Sequence, residues 1–280
     1  MGVLYVVATP IGNLEDVTLR ALRVLREVHL IAAEDTRTTA KLLARYDIHT
    51  PMVSFFEHNE LVRQDEILRV LDRQDVALVS EAGMPAISDP GYRLVQAAIA
   101  AGVPVTVVPG PSAVPSALAV SGLPTDSFVF LGFLPRRCIA RQKLLAAARD
   151  EKRTIVCFEA PHRLLAALED ILENCGDRQL VAACELTKMY EEVWRGPVSA
   201  ALAHFREHAP RGEFTLVLAG APDRAEPAWE ETRVRQALGE AIRKGMSRRD
   251  AAACVAEMAH WPKRAVYRLA VQEARGEMNA

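Results

Sequence analysis

Short apolar runs and amphipathic stretches alternate along the first part of the chain. Residues 3–8, 29–33, 52–55, 76–80 and 105–108 are rich in Val, Ile and Leu and too short for helices. Between them, residues 18–28, 36–46, 59–72, 92–101 and 112–120 repeat their apolar positions at helical spacing. This rhythm predicts crossover units and a mostly parallel sheet. Gly122-Leu-Pro124 breaks it. A second alternation follows, with strands expected at 127–131, 153–158, 180–185, 190–195 and 213–219 and helices at 141–149, 161–174 and 199–208. Residues 180–185 and 190–195 are close enough to form a hairpin, which makes this second sheet mixed. After a linker over 221–227 the pattern turns wholly helical, at 231–244, 248–259 and 263–273, with Ser247 as an N-cap. The expected class is α/β: two α/β domains, 1–123 and 124–222, plus a small helical domain, 230–280.

Three of the first five strands empty into loops rich in Gly and Pro: Ala8-Thr-Pro-Ile-Gly-Asn13, Ser80-Glu-Ala-Gly-Met-Pro-Ala-Ile-Ser-Asp-Pro-Gly91 and Val108-Pro-Gly-Pro-Ser112. A strand, such a loop and then a helix build a ligand site at the carboxyl edge of a parallel sheet. Little side-chain bulk lets the backbone approach the ligand. Three such loops predict one cleft for a small polar ligand.

Composition changes this picture in one place. The chain has 280 residues and a net charge of −2. Between Arg233 and Arg275, however, ten bases face four acids, a net +6, so the remainder is strongly acidic. A basic helical bundle on an acidic body is a nucleic-acid footprint, or else a cap whose arginines only solvate its outer face. The five cysteines are odd in number and form no Cys-x-x-Cys, as in a reduced cytoplasmic protein. The N-terminus reads as a strand rather than a signal peptide, and no apolar stretch reaches roughly 18 residues, so no membrane association is expected.

Some chemistries find no motif. There is no Gly-x-Gly-x-x-Gly, no phosphate-binding Walker loop and no nucleophile elbow, since Val114 stands where the second glycine would be. His204-Phe-Arg-Glu-His208 puts two imidazoles one turn apart, but Pro210 follows at once and no third ligand is evident, so no metal is expected.

Taken together, the loops and several further motifs resemble the tetrapyrrole methylase superfamily, the class III S-adenosylmethionine-dependent methyltransferases. The matching stretches include Ala33-Glu-Asp-Thr-Arg37, His58-Asn-Glu60, Gly132-Phe-Leu-Pro135, Phe158-Glu-Ala-Pro-His-Arg163, Glu185-Leu-Thr-Lys188 and Gly212-Glu-Phe214. With the loops they span residues 3–220. Members methylating tetrapyrroles carry Gly-Asp-Pro where this chain has Gly83-Met84-Pro85. The acid is instead Asp89, a pattern similar to the ribosomal RNA branch, as is the basic C-terminal extension. The resemblance implies S-adenosylmethionine as cofactor and a homodimer. It also implies 2′-O-methylation of a cytidine ribose in the decoding region of 16S rRNA in the 30S subunit. It places cofactor contacts at Pro10, Ile11, Met84, Ile87, Ser88, Asp89, Ser112 and Ala113, with a far wall near Phe158, Leu186 and Ala219.

A ribose hydroxyl needs a base to take its proton during attack. Glu34 or Asp35 is the first expectation and His58 the alternative, with Arg37 on a phosphate. Glu34 and Asp35 could equally cap the following helix, and His58 could cap or stay solvated. Lys188 could meet phosphate or pair with Glu185. Arg136, Arg137 and Arg141 form a candidate RNA clamp, and Arg248, Arg249, Lys263 and Arg264 a second RNA surface. Competing readings are a small-molecule tetrapyrrole methylase and a non-catalytic RNA-binding scaffold.

Overall fold

A computed structural model describes residues 1–56, 58–222 and 229–277, with side chains to 272. The expected linker over 221–227 therefore lies largely outside the described residues. Two compact units result, Met1–Ala221 and Pro222–Ala280.

The first unit holds two sheets. The N-terminal sheet contains β1 (Leu4–Val7), β2 (Leu30–Ala33), β3 (Met52–Ser54), β4 (Val76–Val79) and β5 (Val105–Val108), all parallel, in the order β3-β2-β4-β1-β5. Alternate residues of each strand face opposite sides, so the two faces collect separate cores. On one side Val7, Ile31, Ala77 and Val79 pack under α1 (Leu19–Glu27) and α2 (Thr36–Arg45). On the other, Leu4, Ala32, Val76 and Leu78 pack under α3 (Glu60–Leu71) and α4 (Tyr92–Ala100). Apolar residues on both strand faces are what a sheet covered by helices on both sides requires.

The second sheet is mixed, as expected. It orders β6 (Phe128–Phe133), β7 (Thr154–Glu159), β10 (Phe214–Leu218), β8 (Gln179–Cys184) and β9 (Glu192–Pro197). Only β6 and β7 are parallel. The hairpin is β8–β9, with β9 starting two residues later than the pattern suggested because residues 185–191 are taken up by a turn. Helices α6 (Cys138–Ala147), α7 (Leu164–Cys175) and α8 (Val198–Glu207) cover one face. The other is covered by α5 (Ala113–Ser121), whose Val114, Ala117 and Leu118 pack on Val156, Val181, Ala183 and Val217. One helix thus leaves the first sheet and caps the second, which sets the two sheets around a common cleft.

The C-terminal unit is a bundle of α9 (Glu231–Arg243), α10 (Arg248–Ala259) and α11 (Lys263–Glu277). Its own core gathers Val234, Leu238, Ala251, Val255, Val266, Leu269 and Ala270. Ser247 caps α10, its Oγ accepting from the Asp250 amide at 3.2 Å. His260 takes the left-handed conformation that ends α10, and Trp261 donates from Nε1 to the Trp229 carbonyl at 2.7 Å. Among the described residues no helix is long and apolar enough to cross a membrane.

Candidate active site

The three Gly/Pro loops follow β4, β1 and β5, which are neighbours in the sheet. Their convergence follows from strand order. The first two are tied together, Thr9 and Gly83 exchanging backbone hydrogen bonds of 2.9 and 3.0 Å. Glu60, buried on α3, accepts from the Gly91 amide at 3.3 Å and anchors the end of the long loop. Gly91 has φ 124°, and an added Cβ would lie 2.6 Å from the Leu78 side chain, so any other residue there would be strained.

Between these loops and the second sheet lies a cleft of about 550 Å³. A larger open depression of about 820 Å³ sits at the amino ends of the first sheet's strands, bordered by Gly2, His29, Pro51 and Asp75. It is lined by the N-terminus and the loops that lead into β2, β3 and β4, not by the Gly/Pro loops, and ligands of open α/β sheets bind at the carboxyl ends, so the cleft is the site. Gly12 lets the first loop reach across: a Cβ there would lie 2.9 Å from the Leu186 carbonyl and 2.5 Å from Lys188 Cγ. The Asn13 amide then donates to Thr187 Oγ1 at 3.1 Å. Ala86, Ser88, Glu185 and Thr187 have positive φ (68°, 67°, 49° and 65°), and of these Ser88 and Glu185 line the cleft. Held strain of this kind clusters at functional sites.

Six carboxylates line the cleft, Glu34, Glu81, Asp89, Glu159, Glu185 and Glu213, against one cation, Lys188. Burial is the largest influence on Asp89 and the Glu34 charge adds to it, pushing its pKa up to about 7, although a hydrogen bond from Ser80 pulls the other way. Burial also raises Glu34, partly offset by the Glu81 amide, which donates to its Oε2 at 3.1 Å. Lys188 bridges Glu185 and Glu213 at 2.9 and 3.2 Å, which decides for pairing at that residue. Glu159 is fully buried. Its Oε1 meets Arg163 at 2.5 Å, and its Oε2 is the only buried side-chain oxygen or nitrogen without a partner among the described residues.

The expected contacts Pro10, Ile11, Met84, Ile87, Ser88, Asp89, Ser112, Ala113, Phe158 and Leu186 all line the cleft, as does Glu34. Ala219 does not. β10 runs antiparallel to β7, so its first residues, Phe214 and Thr215, reach the cleft, while Ala219 lies at the far end, its amide donating to the Gln179 carbonyl. Asp35 is the cap of α2, accepting from the Arg37 and Thr38 amides, and the Arg37 guanidinium clasps it at 2.9 and 3.3 Å. That pairing lowers the Asp35 pKa to about 2, which disqualifies it as a base and occupies Arg37. His58 is exposed, packs edge-on against Phe56 and does not line the cleft. Arg141 is a correction of the clamp: it is 5% exposed and bonds Asp170 at 2.6 Å, because α6 begins at Cys138 and turns it inward onto α7. Arg136 and Arg137 stay exposed. His204 and His208 stack on each other at 4.6 Å, and no cluster of three or more His, Cys, Asp or Glu suited to a metal occurs among the described residues.

Residues 3–202 match the model of the Tetrapyrrole (Corrin/Porphyrin) Methylases. The chain belongs to this family. Solved structures of its methylase fold align with this chain. They include the methyltransferase CobJ (TM-score 0.60, 19% identity, 79% of this chain and 95% of that one). Uroporphyrin-III-C-methyltransferase from Thermus thermophilus gives TM-score 0.57 at 24% identity, over 79% and 96%. The more similar curated relatives carry another name, ribosomal RNA small subunit methyltransferase I. That of Synechocystis sp. is 48% identical over 279 residues, 99% of this chain and all of that one. That of Bacillus subtilis is 42% identical over 272 residues, 95% and 93%. That of Thermotoga maritima is 54% identical over 221 residues, 99% of its length but 79% of this chain. The fifth of this chain left over matches the length of Pro222–Ala280.

Proposed function

We propose that this methylase transfers a methyl group from S-adenosylmethionine to the ribose 2′-oxygen of a cytidine in the decoding region of 16S rRNA. The observation that carries the reading is the acid-lined cleft under three convergent Gly/Pro loops, in a chain whose relatives bear a small-subunit rRNA methyltransferase name. The cleft fits the cofactor. Its six carboxylates suit a ligand with a sulfonium and an ammonium group, and the orphaned Glu159 Oε2 is an acceptor suited to an amino donor. When bound, S-adenosylmethionine supplies an electrophilic methyl group.

The residues around it do the rest. Asp89, ionised above pH 7, would hold the cationic end of the cofactor. Pro10, Ile11, Met84, Ser112, Ala113 and Leu186, which line the cleft, would hold the remainder through backbone and apolar contact. Glu34, which lines the cleft and whose pKa burial raises, takes the proton of the 2′-hydroxyl as it attacks in line. The same carboxylates repel phosphates, so the RNA backbone stays outside and only the target ribose enters. Exposed Arg136 and Arg137, with the basic C-terminal unit, hold that backbone in place. The enzyme works in the cytoplasm on the 30S particle, as a homodimer.

The test is incubation with tritiated S-adenosylmethionine and 30S subunits from a strain lacking the modification, followed by nuclease mapping and nucleoside analysis. Label in 2′-O-methylcytidine at one decoding-region position is expected. Label on a base, or on a copurifying pigment and no RNA, would overturn the reading. Light scattering checks the dimer, and a monomer mass would remove that element.

A further inference from the structure

Three cations of α11, Lys263, Arg264 and Arg268, lie away from the bundle core. Val266, Leu269 and Ala270 turn into the bundle core. At 100° per residue, Arg264, Tyr267 and Arg268 share the opposite side, and all three are exposed. Lys263 borders them. Lys263, Arg264 and Arg268 have no ion-pair partner among the described residues, nor do Arg248 and Arg249 at the start of α10. Arg235 on α9, by contrast, is tied to Glu231 at 2.6 Å. A small bundle keeping five exposed cations unpaired, with a large aromatic ring 46% exposed among those of α11, has surplus charge that its own fold does not use. The aromatic residue distinguishes this side from an ordinary solvated one, where charge alone would serve.

We infer that this side of α11 binds RNA, Arg264 and Arg268 engaging neighbouring phosphates and the Tyr267 ring stacking on an unpaired base. The inference rests on the rRNA reading above and deepens it by naming a surface that grips the substrate. One helical turn separates the two arginines, with the ring beside them, so charge and stacking fall on one short stretch of strand. The deep, narrow major groove of an RNA duplex excludes side chains, whereas unpaired bases stack readily on aromatic rings. The occupant is therefore single-stranded or looped RNA. Bonding to phosphates releases counterions, which gives each arginine a measurable salt signature.

The experiment uses the full chain. Binding of a fluorescent 16-nucleotide single-stranded RNA is followed by anisotropy at several salt concentrations, with methyl transfer to unmodified 30S subunits measured in parallel. Arg264→Gln with Arg268→Gln should flatten the slope of log K against log salt by about 1.4, two phosphate contacts at roughly 0.7 each. The KM for 30S should rise about tenfold or more, with cofactor affinity unmoved. Tyr267→Ala should weaken binding about tenfold and leave the salt slope intact, the signature of stacking. Arg20→Gln with Arg23→Gln, also exposed, removes two charges from α1 and should do neither. Unchanged RNA affinity in the α11 variants would overturn the inference, as would equal losses in the α1 control. Weakened binding to 30S with naked RNA binding intact would also overturn it, because the surface would then be docking on protein. Should the wild type transfer no methyl group to RNA while the α11 variants still lose RNA affinity, the inference stands and the activity reading falls.

Discussion

The cleft and the C-terminal bundle treat charge in opposite ways. In the cleft six carboxylates crowd together, from buried Glu159 through half-buried Glu34, Asp89 and Glu185 to exposed Glu81 and Glu213, and the one lysine is bound by two of them. On α11 Lys263, Arg264 and Arg268 are exposed and have no ion-pair partner among the described residues. Burial makes the inner charges of the cleft strong and raises the pKa of Glu34 and Asp89, which chemistry needs. Exposure makes each bundle charge weak but available, which gripping a polyanion needs. Under the proposed function, this difference puts transfer in the first unit and RNA retention in the second.

The largest effect expected concerns the base. Glu34→Gln keeps the shape of the cleft and removes the proton acceptor, so kcat should fall by about 10²–10⁴-fold with cofactor affinity nearly unchanged. A loss confined to cofactor binding would instead place Glu34 with Asp89 and break the proposed division within the cleft.

Next in size is the arginine that crosses the comparison. Asp170→Ala strands buried Arg141, and denaturant unfolding should show a loss of about 3–5 kcal/mol. If stability held and only RNA affinity dropped, Arg141 would belong with the exposed cations after all.

Asp89 gives a third test, through pH. Its pKa lies near 7 in the folded chain against an ordinary 3.8, so the unfolded chain gives up this proton first. The stability contributed by the protonated form is complete below about 4 and is lost as pH rises through 7. Asp89→Asn carries no charge to desolvate. It should raise the melting temperature at pH 8 and leave it unchanged near pH 4. Cofactor affinity should run the other way, falling below pH 7 in the wild type and staying low and pH-independent in the variant. Parallel pH profiles for wild type and variant, in calorimetry and in cofactor titration, would contradict this role.

The smallest effect is expected at Asp35, where removal of a cap by Asp35→Ala should cost about 1 kcal/mol, with methyl transfer retained. A collapse of kcat would return it to the catalytic set.

How much of this was legible in the sequence depended on distance along the chain. The Gly/Pro loops were visible because turn chemistry is local, and so were the Ser247 cap and the hairpin. What they lacked was strand order: only the insertion of β4 between β2 and β1 brings Glu34 beside Asp89 and puts the three loops side by side. Arg141 read as an exposed loop residue because its partner lies 29 positions away on another helix. Ala219 was assigned by resemblance to the wrong end of a strand whose direction the pattern does not give. Glu159 and Glu213 were visible inside quoted motifs, but nothing local marks a carboxylate as facing a cleft.

The most direct measurement compares the full chain with a version ending at Ala221. Those residues form one compact unit of the chain, and their number equals that aligned with the Thermotoga maritima relative. Cofactor affinity and steady-state methylation of unmodified 30S would be measured for both. Equal cofactor affinity, a similar kcat and a KM for 30S raised about tenfold or more would establish the division of labour. A truncated chain that loses cofactor binding, or one that methylates with unchanged KM, would contradict it.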